Sequence, residues 1–175
     1  HSEMFPLVNR DAGNPTELFQ IWLNLAPEDK MVEPHFAMLW GDTIPIVELG
    51  EGPKTRIAVV AGRLGDAVAP PPPPKSWAAR PGSDVAIWTL KMEPGARVTL
   101  PPADARSNRT AYFFLGDEVR IADRTLREPR AVRVRPDLPL EIQAGDSPTE
   151  LLLLQGRPIG APVAHYGPFV MNTRA

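Results

Sequence analysis

Proline and glycine are spread along almost the whole of this chain, and they limit what it can fold into. There are 22 prolines and 13 glycines among 175 residues, so few segments are long enough for an uninterrupted helix. Disorder is not the alternative, because 43% of the residues are hydrophobic and they occur in short blocks. The pattern predicts many short strands joined by many turns.

The clearest strand pattern lies between residues 85 and 121. Runs rich in β-branched and aromatic residues alternate there with Pro-Gly and Gly-Asp turns, which is typical of antiparallel strands in a sandwich or barrel. We therefore expect an all-β protein, with a single turn of helix at residues 26–30. The expected strands are 17–25, 44–47, 55–61, 85–92, 97–100, 110–115, 119–121, 131–134, 138–143 and 150–155.

Two of these expected strands have apolar residues on both faces. Residues 17–25 alternate at period two, yet both sets contain apolar side chains, which suggests a position inside a sandwich. Residues 151–154 are four consecutive leucines bounded by polar residues and Gly156. Such a run predicts a central strand that is buried on both faces.

Overall composition excludes several classes of protein. The formal net charge is -2 and the sequence pI is about 5.9, so we expect no direct nucleic-acid binding. The absence of cysteine excludes disulfides, thiolate metal sites and a cysteine nucleophile. No apolar run approaches the roughly 20 residues of a membrane helix, and the N-terminus does not resemble a signal peptide. We expect a soluble, cytoplasmic protein without a membrane partner.

A run of five prolines, residues 70–74, separates the two halves of the strand pattern. Prolines lack the N–H donors of a sheet and favour an extended polyproline helix, so this run predicts a stiff spacer. Binding of the run to an SH3-like groove is the alternative interpretation. The irregular but apolar tail after residue 155 is expected to pack back on the β body.

Three segments carry a family resemblance. They are residues 19–25 (Phe-Gln-Ile-Trp-Leu-Asn-Leu), residues 30–34 (Lys-Met-Val-Glu-Pro) and, above all, residues 165–173 (His-Tyr-Gly-Pro-Phe-Val-Met-Asn-Thr). They resemble the pirin family, a branch of the bicupins, and the likeness extends from residue 1 to residue 173. The resemblance implies two cupin jelly-roll barrels in tandem, of which the N-terminal barrel holds a metal, usually iron.

The resemblance also implies a division of this chain into domains. Residues 1–65 would be the remainder of the N-terminal cupin barrel with linking strands, and residues 66–84 a proline-rich linker loop. Residues 85–175 would be the complete C-terminal barrel with its packed tail. The first barrel would be partial, because the family's upstream His-x-His pair is not in this sequence. Such a barrel would expose strand edges and apolar surface, so we expect self-association.

The expected metal ligands are His1 and Glu3. They match a His-x-Glu-Met motif that supplies one histidine and the glutamate of the family's three-histidine, one-glutamate site. Residues two apart on a strand point to the same face, and imidazole with carboxylate suits iron, manganese or zinc. Two donors leave coordination incomplete, so the resemblance implies iron or another divalent metal in the intact site, and weak metal binding or none in this chain.

The resemblance implies a metal-dependent quercetin 2,3-dioxygenase, an oxidoreductase that opens a flavonol ring with O2. Glu3 would then be catalytic, taking a proton from the substrate hydroxyl, and Met4, Phe5 and Trp22 would line the cavity. No organic cofactor is expected, since prolines follow the glycines of residues 57–65 where a phosphate-binding helix would have to begin. The alternative is a metal-sensing regulatory protein that binds transcription factors or metabolic enzymes, or a metal-free fragment without activity of its own.

The remaining candidate residues have simpler interpretations. Glu33 and His35 are expected at the surface, and His165 is expected to be a packed, hydrogen-bonded residue. The second barrel is expected to be metal-free, since Arg97, Thr99 and Pro101 stand where cupin ligands would follow the Pro-Gly turn. A basic strip is interpreted as solvated charges rather than a site for an acidic partner; it comprises Arg120, Arg124, Arg127, Arg130, Arg133 and Arg135.

Overall fold

The computed structural model describes residues 8–173 and confirms the all-β prediction. Within that range the regular structure consists of antiparallel strands and three short 3-10 helices. The first of these helices falls where the sequence predicts a single helical turn. The helices are Pro27–Asp29, Gly41–Thr43 and Trp77–Ala79.

Six strands form the larger sheet, in the order β1-β2-β5-β12-β7-β10. Every neighbouring pair in this sheet is antiparallel. The strands are β1 Ile46–Leu49, β2 Thr55–Ala61, β5 Ala86–Met92, β7 Asn108–Leu115, β10 Arg130–Val134 and β12 Thr149–Gly156.

Four strands form a second sheet, in the order β6-β11-β8-β9, and two short pairs complete the structure. One pair directly follows β2 in the chain, and the other lies in the tail. The second sheet contains β6 Arg97–Leu100, β8 Val119–Ile121, β9 Arg124–Leu126 and β11 Leu140–Ala144; the pairs are β3 Arg63–Leu64 with β4 Ala67–Val68, and β13 Ala164–Tyr166 with β14 Phe169–Met171.

The leucine run lies in β12, between β5 and β7, as the sequence predicts for a central strand. Leu151 and Leu153 are fully buried on the inner face, and Leu152 on the outer face is only 5% exposed. The strand thus has apolar groups covered on both faces and pairs with a neighbour along each edge.

The hydrophobic core fills the space between the inner faces of the two sheets. Residues alternate along each strand, so every second side chain contributes to this core while its neighbours face outwards. The largest sheet contributes Ile57, Val59, Trp88, Leu90, Met92, Ala111, Phe113, Leu151 and Leu153, and the smaller sheet contributes Val98, Leu100, Val119, Ile121, Leu140, Ile142 and Ala144.

Strands β1 and β2 belong to the same sheet as the strands after the proline run. β2 pairs with β5 over Thr55–Ala61, and β1 pairs with the opposite edge of β2. Residues 46–61 are therefore built into the barrel that contains residues 86–156. The domain boundaries given above stay a prediction.

The expected strand at residues 17–25 is wrong, because this segment has no regular secondary structure. We call residues 17–25 the N-terminal strap. Its Phe19 ring contacts Phe114 of β7 edge to face, with centroids 4.9 Å apart. The alternating apolar residues thus reflect docking of a segment on the sheet surface rather than pairing within a sheet.

The tail departs from the expected close packing on the β body. Ile159 and Val170 are half-buried, but Val163, Phe169 and Tyr166 remain 64%, 65% and 86% exposed. The hairpin β13–β14 instead contacts Trp22 of the N-terminal strap and Lys30 just after the first 3-10 helix. Most of the large apolar side chains of the tail are therefore not buried against the barrel.

Replacing Leu153 with alanine should lower the free energy of unfolding by about 3 kcal/mol, because the side chain is fully buried and leaves a cavity between the sheets. Leu138→Ala is the matched control, since Leu138 is 47% exposed and should change stability by less than about 0.5 kcal/mol. Urea unfolding followed by circular dichroism measures both values. Equal losses for the two variants would contradict the assignment of β12 to the core.

Candidate functional site

The three segments that carry the family resemblance come together on one surface of the protein. Lys30, from the second segment, donates a hydrogen bond of 2.9 Å from Nζ to the carbonyl oxygen of Val170 in the third segment. The same ammonium group donates to Oδ1 of Asn24 in the first segment. One side chain therefore links all three segments, which are up to 140 residues apart in the sequence.

Aromatic rings hold the N-terminal strap between the sheet and the tail. Phe19 contacts Phe114 of the large sheet, as described above. Farther along the strap, the Trp22 ring lies edge-on to the His165 ring of the tail, with centroids 6.4 Å apart and planes inclined at 76°. Edge-to-face contacts of this kind are favourable and fix the relative orientation of the rings.

Between the strap and the tail lies a groove of about 620 Å³, which we call the signature groove. Its wall is mostly apolar, and Lys30 is its cationic group. Burial lowers the pKa of Lys30, since a charged ammonium is poorly solvated beside apolar neighbours. The groove is lined by residues 21–25, Lys30, Val163, Pro168, Val170 and Met171.

The lining of the signature groove is suited to binding. The apolar wall can accept a flat apolar group, and the ammonium can donate a hydrogen bond to an oxygen acceptor. No serine, threonine or cysteine lies among the lining residues, so the groove itself offers no hydroxyl or thiol nucleophile.

An ion pair fixes the first 3-10 helix, just after the N-terminal strap, to the segment that follows the proline run. The carboxylate of Asp29, in the first 3-10 helix, is only 4% exposed and accepts a hydrogen bond from Arg80. Glu28 binds the same guanidinium at 2.9 Å. The aspartate raises the pKa of Arg80 through this hydrogen bond and its charge. Sequence reasoning missed this pair, because its members are 51 residues apart with no shared motif.

The proline run also contacts the body of the protein. Residues 70–73 line a cleft of about 740 Å³ together with Gly62, Asp84 and Ala86. Just beyond the run, Trp77 donates a 2.8 Å hydrogen bond from Nε1 to the carbonyl oxygen of Arg157. The loop is thus tied to the tail as well as to Asp29.

The expected metal ligands His1 and Glu3, with Met4 and Phe5, lie outside the described residues. Trp22, the other expected cavity residue, is 61% exposed and lies at the signature groove. Glu33 and His35 are exposed, in agreement with a surface role. Within residues 8–173, no three histidine, aspartate or glutamate side chains are grouped so that they could hold a metal.

His165 differs from its expected environment. The residue is exposed rather than packed, and its ring is stabilised through the edge-on contact with Trp22. In the second barrel, Arg97 and Thr99 point outwards from β6, while Val98 and Leu100 fill the core. The positions after the Pro-Gly turn that resemble cupin ligand positions therefore face solvent in this chain.

Three of the six arginines in the strip are paired with nearby acids. Arg127 pairs with Glu118 at 2.8 Å, and Arg130 pairs with Glu128 two residues earlier in the chain. Arg135 binds Asp137, which lowers the pKa of that aspartate, chiefly through the hydrogen bond between them. All six arginines are exposed, which agrees with the interpretation as solvated charges.

Comparison with known proteins now identifies the architecture. The model of the pirin C-terminal cupin domain matches residues 87–175, which begins one residue into β5 and includes the signature groove residues of the tail. The chain belongs to the pirin family. The predicted family is therefore confirmed, and the two facing sheets are the cupin jelly roll of a partial bicupin.

Curated relatives match along nearly the whole chain. A Pseudomonas aeruginosa protein provisionally named quercetin 2,3-dioxygenase is 32% identical over 175 residues, covering 99% of this chain and 56% of the relative. A pirin-like protein of Caulobacter vibrioides is 31% identical over 174 residues, covering 99% of this chain and 58% of that protein. The chain thus spans a little over half the length of these relatives.

Solved structures give the same picture. The crystal structure of a quercetin 2,3-dioxygenase from Acinetobacter baumannii superimposes with a TM-score of 0.70 at 27% identity, covering 86% of this chain and 49% of that one. A Geobacillus kaustophilus protein superimposes with a TM-score of 0.61 at 24% identity, which supports the fold alone.

In the described part of this pirin-family chain, no helix has the length and apolar character that crossing a membrane requires.

Replacing Lys30 with methionine should loosen the attachment of the tail hairpin to the N-terminal strap, because the charged donor to Val170 is removed. A hydrogen bond from a charged group contributes about 1.5 kcal/mol or more, so amides of β13 and β14 should exchange with solvent about tenfold faster. Residue-resolved hydrogen exchange measures this rate.

Lys91→Met is the matched control, since Lys91 forms an exposed pair with Glu150 on the barrel. It should leave the exchange of the hairpin unchanged. Unaltered hairpin exchange in the Lys30 variant would show that this ammonium does not hold the groove together.

Proposed function

We propose that the protein is a metal-dependent quercetin 2,3-dioxygenase-type oxidoreductase that acts on flavonols with O2. The observation that carries the proposal is the His1-Ser2-Glu3-Met4 motif in a chain of the pirin family. The relatives support it, since the Pseudomonas aeruginosa protein is provisionally named for this activity and the Acinetobacter baumannii structure carries the same name.

The donor chemistry of His1 and Glu3 fits a divalent metal such as iron. A neutral imidazole and a carboxylate are ligands that such metals accept, and their spacing by two residues would put both on one face if this segment is a strand. Their number does not complete a site, because the family resemblance calls for two further histidines. We therefore expect firm metal binding only where a His-x-His segment complements this pair.

Each of the two residues has a distinct role in this proposal. His1 would hold the metal through one ring nitrogen and leave the other nitrogen for a hydrogen bond that orients the ring. Glu3 would bind the metal and take a proton from the flavonol hydroxyl at a carboxylate oxygen. A bound metal would supply Lewis-acid activation of the flavonol for its reaction with O2.

A regulatory role is the second candidate, and one observation favours it. Several large aromatic side chains of the strap and the tail are exposed, including Trp22 at 61%, Phe169 at 65% and Tyr166 at 86%. Clustered exposed aromatic groups are typical of surfaces that bind other proteins. In this role the metal would be sensed rather than used for turnover.

The test joins the first-barrel segment of the Pseudomonas aeruginosa relative to residue 1 of this chain and compares the fusion with the chain alone. The fusion should hold about one iron per chain and consume quercetin and O2, whereas the chain alone should bind iron weakly. Glu3→Gln in the fusion should lower quercetin turnover by about a hundredfold or more, because the proton acceptor is lost. Iron analysis and absorbance assays of quercetin provide the measurements.

Glu33→Gln is the control for the loss of a carboxylate near the N-terminus, and His35→Gln is the control for the loss of an imidazole. Both residues are exposed, and both variants should retain full turnover. Iron without turnover would favour the regulatory role over the enzyme. A fusion that binds no iron would overturn both candidates.

A further inference from the structure

One arginine side chain is enclosed within the C-terminal barrel. Along β7 the inward-facing residues are Arg109, Ala111 and Phe113, and all three are buried. Arg109 is 0% exposed, which is rare for a guanidinium without a paired carboxylate. Neither the metal ligands proposed above nor the signature groove includes this residue.

One nitrogen of the guanidinium donates a hydrogen bond, and the other two have no acceptor. Nη1 donates a 2.8 Å hydrogen bond to the carbonyl oxygen of Pro101. Nε and Nη2 are buried and have no partner among the described residues. These two nitrogens form the side edge of the guanidinium, where parallel N–H groups match the two oxygens of a carboxylate.

Two neighbouring side chains contribute further unused polar atoms. Gln155 of β12 lies directly opposite Arg109 in the sheet, and Trp88 of β5 lies one inward position farther along, opposite Leu153. The guanidinium carbon of Arg109 lies 5.7 Å from the Trp88 ring centroid. The indole Nε1 of Trp88 and Oε1 of Gln155 are also buried without a partner.

The buried polar atoms without a hydrogen-bond partner are concentrated at one end of the barrel. Thr55 Oγ1 is the other buried unpartnered side-chain atom of residues 8–173, and Thr55 lies at the far end of the sheet, opposite Met92. Four unpartnered atoms therefore belong to three side chains on adjacent strands at one end of the barrel. Three of the four are donors, which suits an acceptor with several oxygens.

One acid faces Arg109, but no hydrogen bond joins it to the two free guanidinium nitrogens. Asp84 is the acid that acts on it, and its charge partly opposes the lowering of the Arg109 pKa that burial causes. One oxygen of the Asp84 carboxylate, Oδ2, accepts hydrogen bonds from Ser107 Oγ at 2.5 Å and from the Asp104 amide at 3.2 Å. The carboxylate of Asp104 is bound by Arg106.

A buried cation with unused donors is costly, and an acceptor that fits the edge relieves that cost. A water molecule offers a single oxygen and no charge, whereas a carboxylate offers two oxygens at the right spacing together with a negative charge. We propose that this end of the barrel binds a small carboxylate, held in a bidentate manner by Nε and Nη2 of Arg109 and bounded by Trp88 and Gln155.

The cleft beside the proline run borders one side chain of this site. Asp84 and Gln155 both line that cleft, which is about 740 Å³ in volume. Gln155 donates a 3.2 Å hydrogen bond from Nε2 to the carbonyl oxygen of Asp84, and a ligand that enters from the cleft would have to pass this contact to reach Arg109. Because Arg109 is fully buried, we choose the smallest carboxylate, formate, as the probe.

The experiment titrates the ¹⁵N-labelled chain with sodium formate at constant ionic strength, with sodium chloride as the reference salt. Formate should shift the Nε–Hε signal of Arg109 and the indole Nε1–Hε1 signal of Trp88 along one saturable curve. The unfolding midpoint should rise by several degrees at saturation, because the ligand binds the folded state. Arg109→Lys should weaken binding at least tenfold, since lysine keeps the charge but lacks the paired edge.

Arg56→Met is the matched control, because Arg56 is exposed and pairs with Glu48 on the other side of the sheet. It should leave the formate response intact, and Trp88→Phe assigns the indole signal. Equal responses to formate and chloride would overturn the proposal, as would a shift at neither signal or an unchanged formate response in Arg109→Lys. The titration of the unmodified protein decides the matter even if a variant does not fold.

Discussion

Burial of β12 between β5 and β7 is the constraint on which the rest of the structure depends. Its leucines are covered on both faces, so the strand has only one stable position in the protein. The registers of β5 and β7 follow from it, because side chains on opposite faces would exchange places if either strand slipped by one residue. Strands β2 and β1 then extend the same sheet.

The two faces of this central sheet support two different kinds of site. On the outer face, Phe114 receives the strap, and the strap in turn positions Trp22 against His165 of the tail. On the inner face, the same register places Gln155 beside Arg109 and brings Trp88 within reach of the guanidinium. The signature residues and the buried arginine are thus separated by the thickness of one sheet.

The sequence predicts the strands well where apolar residues alternate between clear turns. The runs that became β2, β5 and β6 are recovered to within a residue, because their periodicity and their turns agree. The strap shows where that reasoning fails, since apolar alternation also arises when a segment docks on a sheet without pairing. Contacts such as Asp29 with Arg80, or Lys30 with Val170, depend on tertiary structure and leave no local pattern.

The candidate sites differ in how far sequence could anticipate them. Pirin membership and the segments of the signature groove follow from short motifs, although their convergence on Lys30 requires the fold. Arg109 has no motif, and an arginine on a strand is normally solvent-exposed. Only the inward register of β7 shows that its guanidinium is enclosed.

The central claim is that one barrel, organised by β12, forms the stable unit and that the strap is attached to its surface. Residue-resolved hydrogen exchange of the unmodified chain tests this claim most directly. The account predicts that amides of β5, β7 and β12 exchange only through global unfolding, while amides of residues 17–25 exchange through local opening at much lower free energy. Equal protection of the strap and β12, or rapid exchange in β12, would contradict it.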